Sequence, residues 1–202
     1  MRYVQRGIDL TLMVATLIDL TEHCLSSKII ASGGMLTVKC DQVRLPNGNT
    51  SQREYVTHPG AVVVVPILST GNVVLEKQFR YPLHQVFIEL PAGKIDTGEE
   101  ILMTGQRELF EETGYTASDW LKLGHQYPCI GYSNEVIHMY LALGLNAGGH
   151  QCDEDEHLEV FEASFTDCLG MIQNGQITDG KTIIALFMAE KYLALHPHVP
   201  HV

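Results

Sequence analysis

Basic charge is scarce in this 202-residue chain: 13 lysines and arginines stand against 24 aspartates and glutamates, a formal net charge of −11. A nucleic-acid scaffold normally shows a basic patch or stripe, so that class is excluded. A small phosphorylated ligand remains compatible through local cations and a metal. Long apolar runs are missing as well, and no segment is long or apolar enough to span a bilayer as a helix. Cysteine is sparse, odd in number and scattered (Cys24, Cys40, Cys129, Cys152 and Cys168), and no two cysteines form a CxxC pair. That usage points away from a disulfide framework and toward a reducing, cytoplasmic compartment. Internal repeats and low-complexity stretches are absent too, which removes repeat architectures.

What is present is a chain 45% hydrophobic and 18% charged, long enough for one sizeable core and a small accessory segment. Arg2 and Arg6 precede an apolar run from Leu10 to Ile18 that imitates a signal peptide, but Asp9 and Asp19 bracket the run and no small-residue cleavage site follows. The expectation is a strand or helix extension, or a poorly ordered leader, rather than a secretion signal. Residues 1–57 are then an N-terminal extension with a β-hairpin, and 58–202 the main domain.

Within the extension, Lys28 to Asp41 is strand-forming but broken by Gly33-Gly34. The Leu45-Pro46-Asn47-Gly48-Asn49 turn returns the chain through Arg53, Tyr55 and Thr57 as an antiparallel hairpin. Ala61 to Leu68 is a β-branched run suited to a strand buried on both faces. Val73 to Phe79, Gln85 to Leu90, Trp120 to Tyr127, Val136 to Leu143 and Leu158 to Ser164 read as further strands, with Pro91-Ala92-Gly93 stopping the one before it. Thr166 to Gln173 and Asp179 to Leu195 read as helices capped by Thr166 and Asp179, and Asn146 to His157 as a long acidic loop. Strands before, between and after helices predict an α/β domain with a mixed sheet covered by helices on both sides.

The densest chemistry lies in Gly93 to Tyr115, GKIDTGEEILMTGQRELFEETGY. Thr97 as N-cap with Glu100 completing a capping box, and Gly114 as the C-cap glycine, predict a helix over 98–113. Ile101, Gly105, Glu108 and Glu112 fall along one line of it, with Leu102 and Leu109 on a neighbouring stripe. Glu108, Glu111 and Glu112 place like charges three and four residues apart, which costs an isolated helix about 0.2–0.5 kcal/mol per pair. A hard divalent cation such as Mg²⁺ or Mn²⁺ beside the backbone of Ala92 and Gly93 gives a reason for that arrangement. Arg107 is spaced to restrain the carboxylates by pairing with Glu111, or with Glu99 or Glu100. Gly105 costs about 1 kcal/mol against alanine in a helix interior, which predicts close approach by another backbone or by the ligand loop. A merely solvated acidic helix would be the ordinary alternative.

Gly93, Glu99, Arg107, Glu108, Glu111, Glu112 and Gly114, with Leu109 and Tyr115 at bulky apolar positions, reproduce G-x5-E-x7-R-E-U-x-E-E-x-G-U. Seven fixed residues match by chance at roughly one in 10⁸ to 10⁹ start positions. The stretch resembles the Nudix hydrolase box without a mismatch. LPNG, EYVTHPGAVVVVP, EKQFRYP, IELPAGKIDTGEE and GYSNEVIHMYLA extend the resemblance, over about Lys39 to Ala194, to the ADP-ribose pyrophosphatase branch of that family.

That resemblance implies a Nudix α/β/α sandwich with a small N-terminal antiparallel sheet, and hydrolysis of a nucleoside diphosphate linked to another moiety. For ADP-ribose the products are AMP and ribose 5-phosphate. It implies Mg²⁺, with Mn²⁺ as an alternative, held by Glu108, Glu111, Glu112 and the Ala92 carbonyl, with Arg107 orienting the glutamates. Arg80 is implied at the substrate diphosphate, with Glu89 among the substrate-binding residues. It also implies a base in the loop reading Cys152-Asp-Glu-Asp-Glu-His157, where Glu156 is selected and Glu154 stands close behind; a solvated acidic run is the alternative. Ser133, Asn134 and Glu135 are candidates for the ribose or for a turn, and His138 for a structural histidine. A homodimer, with the N-terminal hairpin completing the partner's site, is also implied. One departure bears on substrate: Ile130 precedes Gly131 where members of the branch commonly carry proline, and Pro128 lies two positions earlier. GDP-mannose, NADH and related compounds therefore stand beside ADP-ribose. A non-catalytic nucleotide sensor is disfavoured by the intact glutamates, and a sanitiser of oxidised nucleoside triphosphates by the hairpin segment and longer flanks.

Overall fold

The computed structural model describes residues 19–34, 36–149 and 157–197. The expected leader over residues 1–18 and the candidate bases Glu154 and Glu156 lie outside the described residues. The chain divides into two compact units, Met1–Tyr55 and Val56–Val202.

The first unit carries a three-stranded sheet in the order β1-β2-β3, from β1 (His23–Ser32), β2 (Thr37–Arg44) and β3 (Thr50–Thr57). The expected hairpin is β2 and β3, closed by the Leu45–Asn49 turn, in which the Leu45 amide donates to the Asn49 carbonyl at 2.8 Å. β1 is an additional strand, antiparallel to β2 with two register shifts. Its sequence, HCLSSKIIAS, does not alternate, and every one of its residues is exposed, so the alternation that betrays a half-buried strand is absent.

The second unit opens with β4 (Ala61–Pro66), whose Val62, Val63, Val64 and Val65 are all fully buried, as expected of a strand covered on both faces. It lies inside a four-stranded mixed sheet ordered β7-β4-β9-β8, formed with β7 (Ala92–Lys94), β8 (Tyr115–Gln126) and β9 (Ile137–Ala147). β4 runs parallel to β9 and antiparallel to β7. A second sheet, β10-β5-β6, is built from β5 (Asn72–Arg80), β6 (Gln85–Glu89) and β10 (Leu158–Ser164), all antiparallel. β7 corrects the expectation that Pro91-Ala92-Gly93 only ends a strand. After Pro91 the chain re-enters the sheet for three residues, because β4 offers it an edge.

The faces of β4 sort two cores. Val62 and Val64 pack with Leu109, Tyr140 and Ala142 beneath α1 (Ile101–Thr113). Val63 and Val65 pack with Leu75, Leu141, Cys168, Leu186 and Ala189, which brings α2 (Phe165–Gln173) and α3 (Gly180–Leu195) onto the other side. Helices therefore cover both faces of a mixed sheet, an α/β/α layering. α3 starts at Asp179, whose carboxylate accepts the Thr182 amide, as expected. α2 is capped by Ser164 rather than Thr166: the Ser164 hydroxyl accepts the Asp167 amide, the three-residue spacing an N-cap needs. No helix among the described residues is long and apolar enough to cross a membrane.

Candidate active site

The glutamate helix begins later than its sequence predicts. Gly98, at φ +82°, closes a turn in which the Glu99 amide donates to the Asp96 carbonyl, and α1 starts at Ile101 with Glu100 as N-cap. Glu100 makes no side-chain cap bond, so neither the Thr97 cap nor the capping box forms. Glu99 has been turned to another use. Its carboxylate accepts the Asp96 amide, the Thr104 hydroxyl at 2.7 Å, and two bonds from Arg107 at 3.0 and 3.1 Å. At the far end Gly114 closes the helix in the left-handed conformation, φ 73°, its amide on the Phe110 carbonyl. Gly105 corrects a second expectation. A Cβ there would meet Val62 Cγ1 at 3.1 Å and Val64 Cγ2 at 3.5 Å, so the close neighbours are core valines of β4 and not a ligand loop.

Two of the three helix glutamates turn inward onto β7. Glu112, 3% exposed, accepts the Ala92 amide at 2.8 Å. Glu108 lies over Gly93 so closely that a Cβ on that residue would fall inside its carboxyl group. Glu111 faces Arg107 from the next turn, at 2.9 Å. Arg107 collects the set. Nε and Nη2 hold Glu99, Nη1 reaches Glu108 at 2.8 Å and Glu111, and Nη2 also reaches the Lys94 carbonyl at 3.3 Å. These five bonds match the five N–H donors of a guanidinium, so Arg107 is saturated by the protein. The bonds from Arg107 hold the Glu99 carboxyl down to about 2, and Glu99 in turn leads the interactions that push the Arg107 guanidinium up. Of the pairings expected for Arg107, Glu99 and Glu111 are made, Glu100 is not, and Glu108 is added.

A second cationic arrangement stands at the end of β5. Arg80 grips Glu89 in a bidentate pair, Nε to Oε1 and Nη2 to Oε2, both at 2.7 Å. Glu89 is 2% exposed and also receives Lys181 on Oε2. Burial alone would raise the Glu89 carboxyl, but the Arg80 bonds and the Lys181 charge outweigh it and hold the group below its ordinary range. The Arg80 side chain is 40% exposed, and the Nη1 edge of its guanidinium has no partner among the described residues. It differs from Arg107 in just this respect, since it still has donors to offer. Lys181 is absent from the sequence-level candidates. The one local signal is its place in Asp179-Gly180-Lys181-Thr182 at a helix start, and its partner is 92 residues away.

The loop between β8 and β9 is stitched to the start of the unit. Asn134 accepts the His58 amide at 2.7 Å, and its own amide donates to the Val56 carbonyl. Ser133 accepts the Glu135 amide at 3.1 Å, and Glu135 lies 3.6 Å from His58 Nδ1. Ile130, in the position noted for its missing proline, is 83% exposed. The His138 imidazole, on β9, is shifted down from its ordinary range, first by burial and then by the nearby Lys122 charge.

Comparison with known proteins places these observations. The NUDIX domain model matches residues 57–183. The chain is 40% identical over 170 residues to the ADP-ribose pyrophosphatase of Bacillus subtilis (strain 168), covering 83% of this chain and 92% of that protein. It is 40% identical over 186 residues to the methanol dehydrogenase activator of Bacillus methanolicus, covering 89% and 96%. Among solved structures, an ADP compounds hydrolase superposes with a TM-score of 0.79 at 22% identity, over 88% of this chain and 97% of that one, a likeness of fold.

Proposed function

The chain belongs to the NUDIX domain family, and from that premise we propose that it is a Mg²⁺-dependent pyrophosphatase of nucleoside diphosphate sugars, cleaving ADP-ribose to AMP and ribose 5-phosphate. The carrying observation is the carboxylate set that Arg107 gathers against β7. Glu99, Glu108 and Glu111 are bonded to one saturated guanidinium, while Glu108 and Glu112 lie on the Ala92–Gly93 backbone.

The donor set fits a hard divalent cation. Mg²⁺ binds through one or two carboxylates together with water and substrate phosphates rather than in an all-protein cage. Among the described residues no three acidic, histidine or cysteine side chains converge as a metal cage, Glu108 and Glu111 being bonded to Arg107 and Glu112 to the Ala92 amide. Glu108, Glu111, Glu112 and the Ala92 carbonyl would hold Mg²⁺, with Mn²⁺ as the substitute. When bound, the cation neutralises diphosphate oxygens and makes water a better nucleophile. The chain's own residues do the rest. Arg107 fixes the glutamates against their mutual repulsion. Arg80 offers its exposed edge to the diphosphate, and Glu156 or Glu154 takes the proton from the attacking water. Ser133, Asn134 and Glu135 line the ribose side. Support for the substrate class comes from the 40% identity to an ADP-ribose pyrophosphatase.

Purified protein with Mg²⁺ or Mn²⁺ should release AMP from ADP-ribose. The proposal is abandoned if no nucleoside monophosphate appears from ADP-ribose, GDP-mannose or NADH. The exposed Ile130 in the substrate-facing loop favours a second reading, in which GDP-mannose or a dinucleotide is the better substrate of the same site. The ratio of kcat/KM values across that panel decides between them.

We also propose a cytoplasmic homodimer formed through the N-terminal unit. β1 is an edge strand with Leu25, Ile29 and Ile30 exposed, a surface that soluble chains cover by association. Light scattering should give twice the chain mass, and Ile29→Lys should halve it; a wild-type monomer sinks the idea.

A further inference from the structure

We infer that Lys181 is a positioning residue for substrate binding, which acts by sharing Glu89 with Arg80 and so fixing the guanidinium with its Nη1 edge outward and still attractive to a phosphate. The inference rests on the reading that Arg80 meets the diphosphate.

The geometry assigns this role by elimination of donors and by charge. Arg80 commits its Nε–H and one Nη2–H to the two oxygens of Glu89, so its fork is locked in one plane and the edge carrying the two Nη1 hydrogens and the second Nη2 hydrogen is left for a ligand. Taken alone, that pair is neutral, and a neutral pair has little to offer an anion. Glu76 lies directly across from Glu89 in the β5–β6 register and is 1% exposed, which makes the surroundings of Arg80 still more acidic. Lys181 changes the balance. Its ammonium, on a side chain 15% exposed, reaches the same Oε2 of Glu89 that Arg80 Nη2 occupies, so one carboxylate answers two cations, and with Asp179 counted the four groups are neutral where without Lys181 they would carry a net negative charge. Asp179 holds Lys181 from the other side at 3.1 Å. Thr182, the next residue, accepts the Leu90 amide at 3.0 Å, which fixes the first turn of α3 against the residue after Glu89. The Lys181 ammonium is thus held between Glu89 and Asp179, and it is joined to Arg80 through Glu89.

The test is a double-mutant cycle on the full chain with saturating Mg²⁺ and whichever of ADP-ribose or GDP-mannose the wild-type protein cleaves, using Lys181→Met, Lys181→Arg, Arg80→Gln and the Arg80→Gln/Lys181→Met double variant. Lys181→Met is expected to raise KM about tenfold with kcat within about threefold, the size seen when an outer partner of a binding group is lost. Lys181→Arg should restore most of it. In the Arg80→Gln background the Lys181→Met effect should vanish, because the two act as one unit. A purely structural lysine would lower the melting temperature and leave KM alone. The inference is overturned if Lys181→Met keeps the wild-type KM while Arg80→Gln raises it, or if Lys181→Met raises KM equally with and without Arg80. If Arg80→Gln itself leaves KM unchanged, the reading of Arg80 at the diphosphate fails, and this inference with it. Should Lys181→Met not fold, Lys181→Gln takes its place in the same cycle with the same outcomes, since it removes the charge and keeps the side chain polar.

Discussion

Replacing Gly93 by alanine separates the fold from the chemistry more cleanly than removing any glutamate does. Gly93 does not have a left-handed φ, so its backbone conformation is one alanine adopts freely. What the methyl group meets is the Glu108 carboxyl: even the farthest of the three atoms, Oε2, would stand 2.5 Å from it. Carbon contacts settle at about 3.5–4.0 Å, so the carboxylate has to swing away by about 1 Å at its far oxygen and by more at the near one. The movement costs little in stability, because the displaced group is the free end of a flexible side chain. Losing the Glu108 bond to Arg107 costs about 1 kcal/mol, and the alanine recovers about 0.4–1 kcal/mol from the unfolded chain. The melting temperature should therefore stay within about 4 °C of wild type. Turnover should not, since a misplacement of about 1 Å in a catalytic array costs on the order of 10²-fold. The assay is kcat at saturating Mg²⁺ and substrate, with a calorimetric melt on the same sample. A folded Gly93→Ala protein with wild-type kcat would refute the reasoning, because it would show that Glu108 need not lie where the structure puts it.

Other substitutions probe the rest of the site. Glu112→Gln keeps volume and an acceptor for the Ala92 amide, so the fold should persist while kcat falls on the order of 10²–10³-fold; near-wild-type turnover in the folded variant would remove Glu112 from the metal set. Gly105→Ala should show the reverse pattern, with kcat little changed because the added methyl meets the core valine Val62 at 3.1 Å; a tenfold loss of kcat in the folded variant would contradict that placement. Glu99 carries a pH signature. Its folded carboxyl titrates at about 2 against an ordinary 4.5, so its contribution is fully present above the ordinary value and is lost as pH falls toward about 2. Urea unfolding of wild type should weaken across that window, and Glu99→Gln should show a flatter acid limb; identical limbs would mean that the Arg107 bonds are not formed in solution.

The parts of this molecule that were legible from its sequence are those whose determinants are local. The β-branched run of β4, the Asp179 cap and the Gly114 stop each depend on a few neighbouring residues. The glutamate helix was legible for a second reason, a seven-residue pattern too specific to arise by chance. What escaped depends on partners far along the chain. β7 is a strand only because β4 lends it an edge, and its three residues carry no periodicity of their own. α1 starts later than its local signals predict: Glu99 is bonded to Arg107, eight residues on, and Glu100 makes no cap bond. Lys181 looks like any first-turn lysine until Glu89 is placed beside it.

Residues 89–93 were met one at a time, as partners of other groups, and together they say something about how this chain tolerates change in length. Each position is held by a residue from another element: Glu89 by Arg80 and Lys181, the Leu90 amide by Thr182, the Pro91 carbonyl by the Val64 amide at 2.9 Å, the Ala92 amide by Glu112, and Gly93 beneath Glu108. Two helices and two strands thus take their registration from the same five residues. Inserting or deleting a single residue there would put every one of those fittings out of step at once, whereas among the described residues the backbone bonds of the turn at Ser69–Gly71 are those of its own closure. Among variants of this chain that still work, differences in length should gather at such turns and never between Glu89 and Gly93.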